Sequence, residues 1–72
     1  MSPIRTVSPL AAAIRARRRM LRLTQAELAR LSGCGLAFLY HLEHGKRSVR
    51  LDKVADVLAV LGLELAVREI SR

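Results

Sequence analysis

The feature that most limits the possible folds is residues 24–45, TQAELARLSGCGLAFLYHLEHG. Thr24 followed three residues later by Glu27 is the pattern of a capping box, which marks the first turn of a helix. Gly33 supplies a residue type that takes a left-handed backbone at a helix end without steric cost. Apolar residues then resume at helical spacing until Gly45. The stretch therefore predicts two short helices joined by a tight turn.

The apolar residues of the stretch follow the period of two helices. Those at helical spacing are Leu28, Ala29, Leu31, Leu36, Phe38, Leu39 and Leu42. Because the turn is short, the two helices must cross steeply, and a small residue is needed where they touch. We expect Ala29 to lie at that crossing and Gly33 to form the turn.

The charge of the chain is unevenly distributed. The net charge is +7 over 72 residues, and residues 1–50 hold ten lysines and arginines against two acidic residues. Residues 51–72 hold three basic residues against four acidic ones. The basic part contains the two-helix stretch, so a polyanionic partner such as nucleic acid is predicted. A basic surface that is merely solvated is the alternative. So short a chain forms one domain with a small core, which favours an oligomer.

Few residues are suited to other chemistry. Cys34 is the sole cysteine, which excludes an internal disulfide and a zinc cluster, and its apolar position favours the core. His41 and His44 have no nucleophile or metal-ligand companion, so we expect no enzyme activity, no metal and no cofactor. The chain shows no secretory segment and no long apolar run, so a cytoplasmic location is expected.

The N-terminal part precedes the two-helix stretch. Residues 1–8 are predicted to be a flexible arm, in which Arg5 is a candidate DNA contact and a disordered tail is the alternative. Ser8 and Pro9 are typical of a helix start, as cap and first-turn residue. The helix is predicted to end near Arg22. Its apolar stripe is Leu10, Ala13, Ile14, Arg17, Met20 and Leu21, with the arginine as an interruption. A basic amphipathic helix can also lie on a membrane, but the alanine-rich face is too weak to insert well.

The C-terminal part begins with a basic loop, residues 46–50, followed by a predicted helix over residues 51–61. The predicted core face of this helix is Leu51, Val54, Ala55, Leu58 and Leu61. Val57 and Val60 lie off that face, so they are candidates for a subunit contact or for burial on a second side. Gly62 is predicted to end the helix.

Residues 63–68 alternate between apolar and polar side chains, which predicts a half-buried strand. Its apolar face is Leu63, Leu65 and Val67. A lone strand cannot satisfy its main-chain groups. The simplest partner is the same strand of a second copy, paired antiparallel across a two-fold axis.

The two-helix stretch resembles the helix-turn-helix of the phage-repressor (XRE) family. The matching residues are Gln25, Ala29, Gly33, Cys34, Leu39, Leu42, Glu43 and Gly45. The resemblance implies an all-α, lambda-repressor-like DNA-binding domain of about four helices over residues 9–62. The second motif helix would enter the major groove. Residues 63–72 would then form the dimerisation strand and tail.

Residues 10–67 also resemble the HipB-type antitoxin branch of that family. The stretches that match are RRRMLRLTQAELA, LEHGK and VRLDKVADVLAVLGLEL. The resemblance implies a homodimer on a palindromic operator that represses its own operon and neutralises a HipA-like kinase toxin. The resemblance to the wider repressor family also implies an ion pair between Arg18 and Glu43, with a contact of Arg18 to phosphate or solvent as the alternative. The alternatives are a stand-alone phage-like regulator and a protein-interaction module with weak DNA binding.

The resemblance also suggests which residues contact DNA. The candidates for the DNA backbone are Arg18, Arg19, Thr24, Gln25, His44, Lys46 and Arg47. The candidates for base readout are Gly35, Leu36, Ala37, Tyr40 and His41. The sequence departs from the family pattern here, because Gly35 replaces the usual Ser or Thr cap and Leu36 and Ala37 replace polar or basic residues. These two side chains can contact only thymine methyl groups, so Tyr40, His41 and DNA shape are expected to carry more of the specificity.

Overall fold

Four helices make up the computed structural model, which describes residues 8–71. They are α1 (Ser8–Met20), α2 (Gln25–Ser32), α3 (Leu36–Glu43) and α4 (Leu51–Val60). Helix α2 packs against α3 and α4, and α1 packs against α3. The predicted all-α fold is therefore confirmed for these residues. Arg5 and the first seven residues of the predicted arm lie outside them.

The two motif helices form as the sequence predicts. Thr24 Oγ1 accepts a hydrogen bond from the Glu27 main-chain nitrogen at 3.0 Å, and Glu27 Oε1 accepts one from the Thr24 nitrogen at 2.7 Å. Gly33 has a left-handed backbone with φ of 72°, and the Cys34 nitrogen then donates to the Ala29 carbonyl at 3.0 Å. Ala29 is buried. Both ends of α2 are thus satisfied by residues of the motif itself.

Helix α1 ends two residues earlier than predicted. Arg22 takes a left-handed backbone with φ of 58°, which an arginine rarely adopts, and the Leu23 nitrogen donates to the Arg18 carbonyl at 3.1 Å. This turn leaves Met20 and Leu21 exposed, so their predicted place in the core is wrong. Ile14 is fully buried as predicted. On the preceding turn Ala11 is buried in place of Ala13, because small apolar residues occur on several sides of α1.

The core is aliphatic and is shared by all four helices. Its buried residues are Ile14, Leu28, Ala29, Leu39, Leu42, Val54, Val57, Leu58 and Leu61. Leu31, part of the predicted apolar stripe of α2, is 51% exposed, so its predicted place in the core is wrong. Leu36, a base-readout candidate, is exposed to the same extent, and Phe38 and Cys34 are half-buried at the edge of the core.

The core face of α4 is rotated relative to the predicted one. Val57 is fully buried within a single chain, so the prediction that it forms a subunit contact is wrong. Leu51 and Ala55 are exposed where burial was predicted. Val60 is half-buried against the core. The helix is apolar on most sides, so several faces fit a helical period equally well.

Residues 63–71 carry neither helix nor strand in the single chain. Gly62, with φ of 74°, leads out of α4, and Leu63 packs against the core. Leu65 is 45% exposed and Val67 is fully exposed. The predicted strand is not formed here, because the described residues offer it no main-chain partner. None of the described helices is both long and apolar enough to cross a membrane.

Candidate nucleic-acid interface

Helix α3 has one buried and one exposed face. Leu39, Leu42 and Glu43 are buried, so the opposite side chains point away from the core. Four of them line an open groove of about 460 Å³ together with Gln25 of α2, namely Leu36, Ala37, Tyr40 and His41. The groove thus brings together four of the five residues predicted to read bases. We call these four the recognition residues.

The buried face of α3 carries a charged residue, Glu43, whose side chain is fully buried. Arg18 Nε donates to Glu43 Oε2 at 2.6 Å, and Arg18 Nη2 donates to Oε1 at 2.9 Å. Arg18 Nη1 donates to the Leu23 carbonyl at 2.9 Å, and the arginine side chain is only 11% exposed. The predicted ion pair is therefore present. Since every guanidinium nitrogen has a partner inside the chain, the geometry supports this role for Arg18 over a phosphate contact.

Two further residues reach Glu43 from other helices. Gln25 Nε2 donates to Glu43 Oε1 at 3.1 Å, and Arg15 Nη1 donates to the Glu43 main-chain carbonyl. Helices α1, α2 and α3 therefore meet at one carboxylate. We call Arg15, Arg18, Gln25 and Glu43 the Glu43 network. The contacts of Arg15 and Gln25 were not predicted, because they span 28 and 18 positions and no local pattern signals them.

The network keeps Glu43 ionised despite its burial. Burial raises the pKa of the carboxyl group, but hydrogen bonds from Arg18 and Gln25 and the charges of Arg18 and Arg15 outweigh it. The resulting pKa lies below the usual 4.5. At neutral pH the recognition helix is thus anchored by a charged, directional contact.

The end of α3 is ordered by a group of rings. His44 caps the helix, and its Nδ1 is hydrogen-bonded to the Tyr40 carbonyl at 2.7 Å. Its ring stacks on that of Tyr40 with 4.0 Å between centroids, while His41 meets Tyr40 edge-on at 5.5 Å. His44, predicted to contact the DNA backbone, therefore supports Tyr40 from the side.

A second, smaller cavity of about 220 Å³ lies between α3, the basic loop and α4. It is lined by Phe38, His41, Lys46, Ser48, Val49, Arg50 and Lys53. Lys53 Nζ lies 6.0 Å from the centre of the Phe38 ring. His41 and Lys46 of this lining were predicted site residues, whereas Ser48, Arg50 and Lys53 were not. The clustering of basic residues from 46 to 53 was the available signal for them.

The remaining predicted contacts do not line the groove. Arg19, Lys46 and Arg47 are exposed, and the Thr24 hydroxyl already accepts its capping hydrogen bond. Gly35 precedes α3 with an ordinary φ of −75° and no side-chain cap, and a Cβ there would meet no atom within 4 Å. Among the described residues, no three His, Cys, Asp or Glu side chains gather as a metal site. The phosphate contact predicted for Gln25 stays a prediction.

Two short helices at a tight turn, with an exposed helix face flanked by basic residues, define the class of helix-turn-helix DNA-binding domains. The sequence profile of the Helix-turn-helix family HTH_3 matches residues 14–67, three quarters of the chain. The chain belongs to this family, the XRE-type helix-turn-helix proteins.

Relatives and solved structures agree with this assignment. The chain is 38% identical over 64 residues to the Uncharacterized HTH-type transcriptional regulator y4mF of Sinorhizobium fredii, covering 89% of this chain and 84% of the relative. It superposes on a structure named MDT Protein with a TM-score of 0.80, covering 99% and 100% of the two chains. At 24% identity this shows the fold alone. A Toxin-Antitoxin module from Streptococcus pneumoniae matches with a TM-score of 0.69 and 34% identity, over 83% and 71% of the chains. The chain is a helix-turn-helix transcriptional regulator.

Proposed function

We propose that the protein is a non-enzymatic, dimeric repressor that binds a palindromic operator and serves as the antitoxin of a HipBA-like toxin–antitoxin system. The observation that carries the DNA-binding part is the two-faced α3. Its recognition residues line one groove, while Glu43 on the other side ties the helix to α1 and α2. Such a helix is ordered before DNA arrives, so little freedom is lost on binding.

The charges around α3 favour DNA as the partner. Arg19, Lys46 and Arg47 are exposed, and Lys53 lines the cavity beside α3. Lysine and arginine that neutralise phosphates release counterions, so affinity should fall steeply with salt. A protein-interaction module with weak DNA binding has no need of this arrangement, which makes it the less favoured alternative.

The dimer is proposed from the C-terminal segment. Leu65 and Val67 are exposed apolar residues two positions apart, and Leu63 of the same series packs on the core. Pairing of this segment with a second copy would cover the apolar face and satisfy its main-chain groups. Val60 at the edge of the core remains a candidate for the contact. The two copies of α3 would then lie roughly 34 Å apart, on a palindromic operator.

The antitoxin role is supported by two likenesses. The Streptococcus pneumoniae structure is named as a toxin–antitoxin module, and residues 10–67 resemble HipB-type antitoxins. A stand-alone phage-like regulator is the alternative. Co-expression with the neighbouring gene separates them, because an antitoxin copurifies with a kinase-like product and relieves its toxicity. A neighbouring product that neither binds nor is toxic would contradict the antitoxin role.

DNA binding is tested by gel shift on the protein's own promoter fragment, against random duplex DNA and over a series of salt concentrations. Tyr40→Ala and His41→Ala should each weaken promoter binding by about 1–3 kcal/mol and relax preference at one base pair. Gln25→Ala, by contrast, should weaken binding to promoter and random DNA alike. The matched control is Ala26→Ser, an exposed position on α2 outside the groove. Equal affinity of the wild type for promoter and random DNA would contradict sequence-specific repression.

A further inference from the structure

We propose that the first turn of α3 reads the 5-methyl group of thymine through Leu36 and Ala37. The inference rests on the proposed function and names the chemical group that the groove recognises. The first turn of α3 has no polar side chain, so the base pair that it faces can be recognised only by apolar contact.

Leu36 lies at the start of α3, outside the core. The side chain is 51% exposed although leucine is among the residues most often buried, and it is not part of the core. Ala37 is exposed beside it. Neither residue belongs to the core or packs against it. Their apolar surface is therefore available to whatever enters the groove.

The groove is polar at one end and apolar at the first turn of α3. Gln25 on α2 and His41 one turn further along α3 supply polar groups, and Tyr40 contributes its ring. Gly35, just before the turn, adds no side chain that could hydrogen-bond a base. The first turn of α3 thus carries only apolar side chains, and hydrogen-bonding side chains appear on α3 only from its second turn.

The DNA group that best fits an apolar helix turn is the methyl group of thymine. The major-groove edges of base pairs present hydrogen-bond acceptors, donors and one apolar group, the thymine methyl. A leucine placed against an acceptor or donor leaves that polar group unpaired after water is displaced, whereas the methyl group loses no hydrogen bond. The first turn of α3 therefore favours thymine by contact and disfavours the other bases by desolvation.

The expected size of the effect follows from the area of one methyl group. Burial of one carbon of this size changes affinity by about fourfold, equivalent to about 0.8 kcal/mol. In a palindrome the group occurs in both half-sites, so replacing both should weaken binding roughly 15-fold if the two add.

The test uses duplexes selected from a random library by the wild-type protein. Each thymine is replaced in turn by deoxyuridine, which removes only the methyl group, and affinity is measured by fluorescence anisotropy. We expect one thymine in each half-site to show the fourfold loss. The variant Leu36→Ser should show a smaller difference between the thymine and deoxyuridine duplexes, and the double variant with Ala37→Ser should bind the two equally.

The matched control is Leu31→Ser on α2. Leu31 has the same residue type and the same 51% exposure as Leu36 but does not line the groove. This variant should retain the full deoxyuridine effect. A retained effect shows that the loss in Leu36→Ser is local to the groove and does not come from a general change in stability.

Specific binding with no deoxyuridine effect at any position would overturn the inference and leave the proposed function intact. An undiminished effect in the double variant would do the same. Failure of the wild type to select any sequence would overturn the proposed function, and this inference with it.

Discussion

Residues 24–45 and residues 63–71 differ in how far one chain satisfies their main-chain groups and buries their apolar side chains. In the first segment Leu28, Leu39 and Leu42 are buried, and both ends of α2 are closed by local hydrogen bonds. In the second, Leu65 and Val67 lie exposed on a segment with no regular structure. The difference teaches that the helix-turn-helix motif is complete within one chain, whereas the C-terminal segment leaves apolar side chains exposed, which the proposed pairing with a second copy would cover. Helices pair their own main-chain groups, but an extended segment cannot.

The largest effect on stability is expected when the ion pair between Arg18 and Glu43, which ties α1 to α3, is removed. Arg18→Ala removes the ion-pair partner of a fully buried carboxylate, which should lower the free energy of unfolding by ~3–5 kcal/mol. Urea or thermal unfolding at fixed protein concentration measures it. The matched control is Arg50→Ala, because Arg50 and Asp52 form an ion pair of similar length on the surface, and it should leave stability almost unchanged. In a double-mutant cycle with Glu43→Gln, additive effects would contradict the coupling.

Acid should reproduce part of this loss gradually. The pKa of Glu43 is lowered in the folded chain, so its contribution is fully present above the usual 4.5 and is lost as pH falls through the lower folded value. Unfolding measured from pH 6 downwards should therefore show stability decreasing below about pH 4.5. The decrease should be shallower in Glu43→Gln. The capping residue Glu27 also has a lowered pKa, so a Glu27→Gln variant with the larger change in slope would contradict the assignment.

A third change tests the C-terminal segment. Leu65→Pro removes a main-chain donor and fixes the backbone, so it should prevent pairing with a second copy. Sedimentation should then show a monomer, with operator affinity lower by roughly a hundredfold, because the two half-sites are no longer bound together. Leu65→Val is the control and should stay dimeric. A dimeric proline variant, or a wild type that is monomeric at tens of micromolar, would sink the proposed pairing.

The smallest effect sharpens the comparison from the motif side. Thr24→Ala removes the hydroxyl of the capping box and should cost about 1 kcal/mol of stability, while Thr24→Ser should keep most of it. Because the cap is local, the loss should be the same when the dimer is disrupted by Leu65→Pro. A loss that appears only in the dimer would mean that the motif is not complete within one chain.

Local chemistry explains which parts of the fold could be predicted from sequence. Thr24, Glu27 and Gly33 act within a few residues of one another, so their roles follow from residue type and spacing alone. The pair of Arg18 and Glu43 was reached through the family resemblance, since no spacing rule joins residues 25 positions apart.

The features that were predicted wrongly or missed depend on contacts between distant parts of the chain or on an ambiguous helical period. Helix α4 carries valine, leucine or alanine on most sides, so its period alone could not show that Val57 is buried and Leu51 exposed. The link from Gln25 to Glu43 depends on the crossing of two helices. The strand over residues 63–68 would need contacts from outside the chain, which a sequence pattern can suggest but a single chain cannot form.

The exposed face of α3 also bears on how such a regulator evolves. Leu36, Ala37 and His41 belong neither to the core nor to the Glu43 network, so changes there leave the scaffold intact. If these positions read bases as proposed, target choice and folding are separable traits in this chain. Substitutions at these positions in a duplicated gene could then change the operator while every intermediate protein still folds.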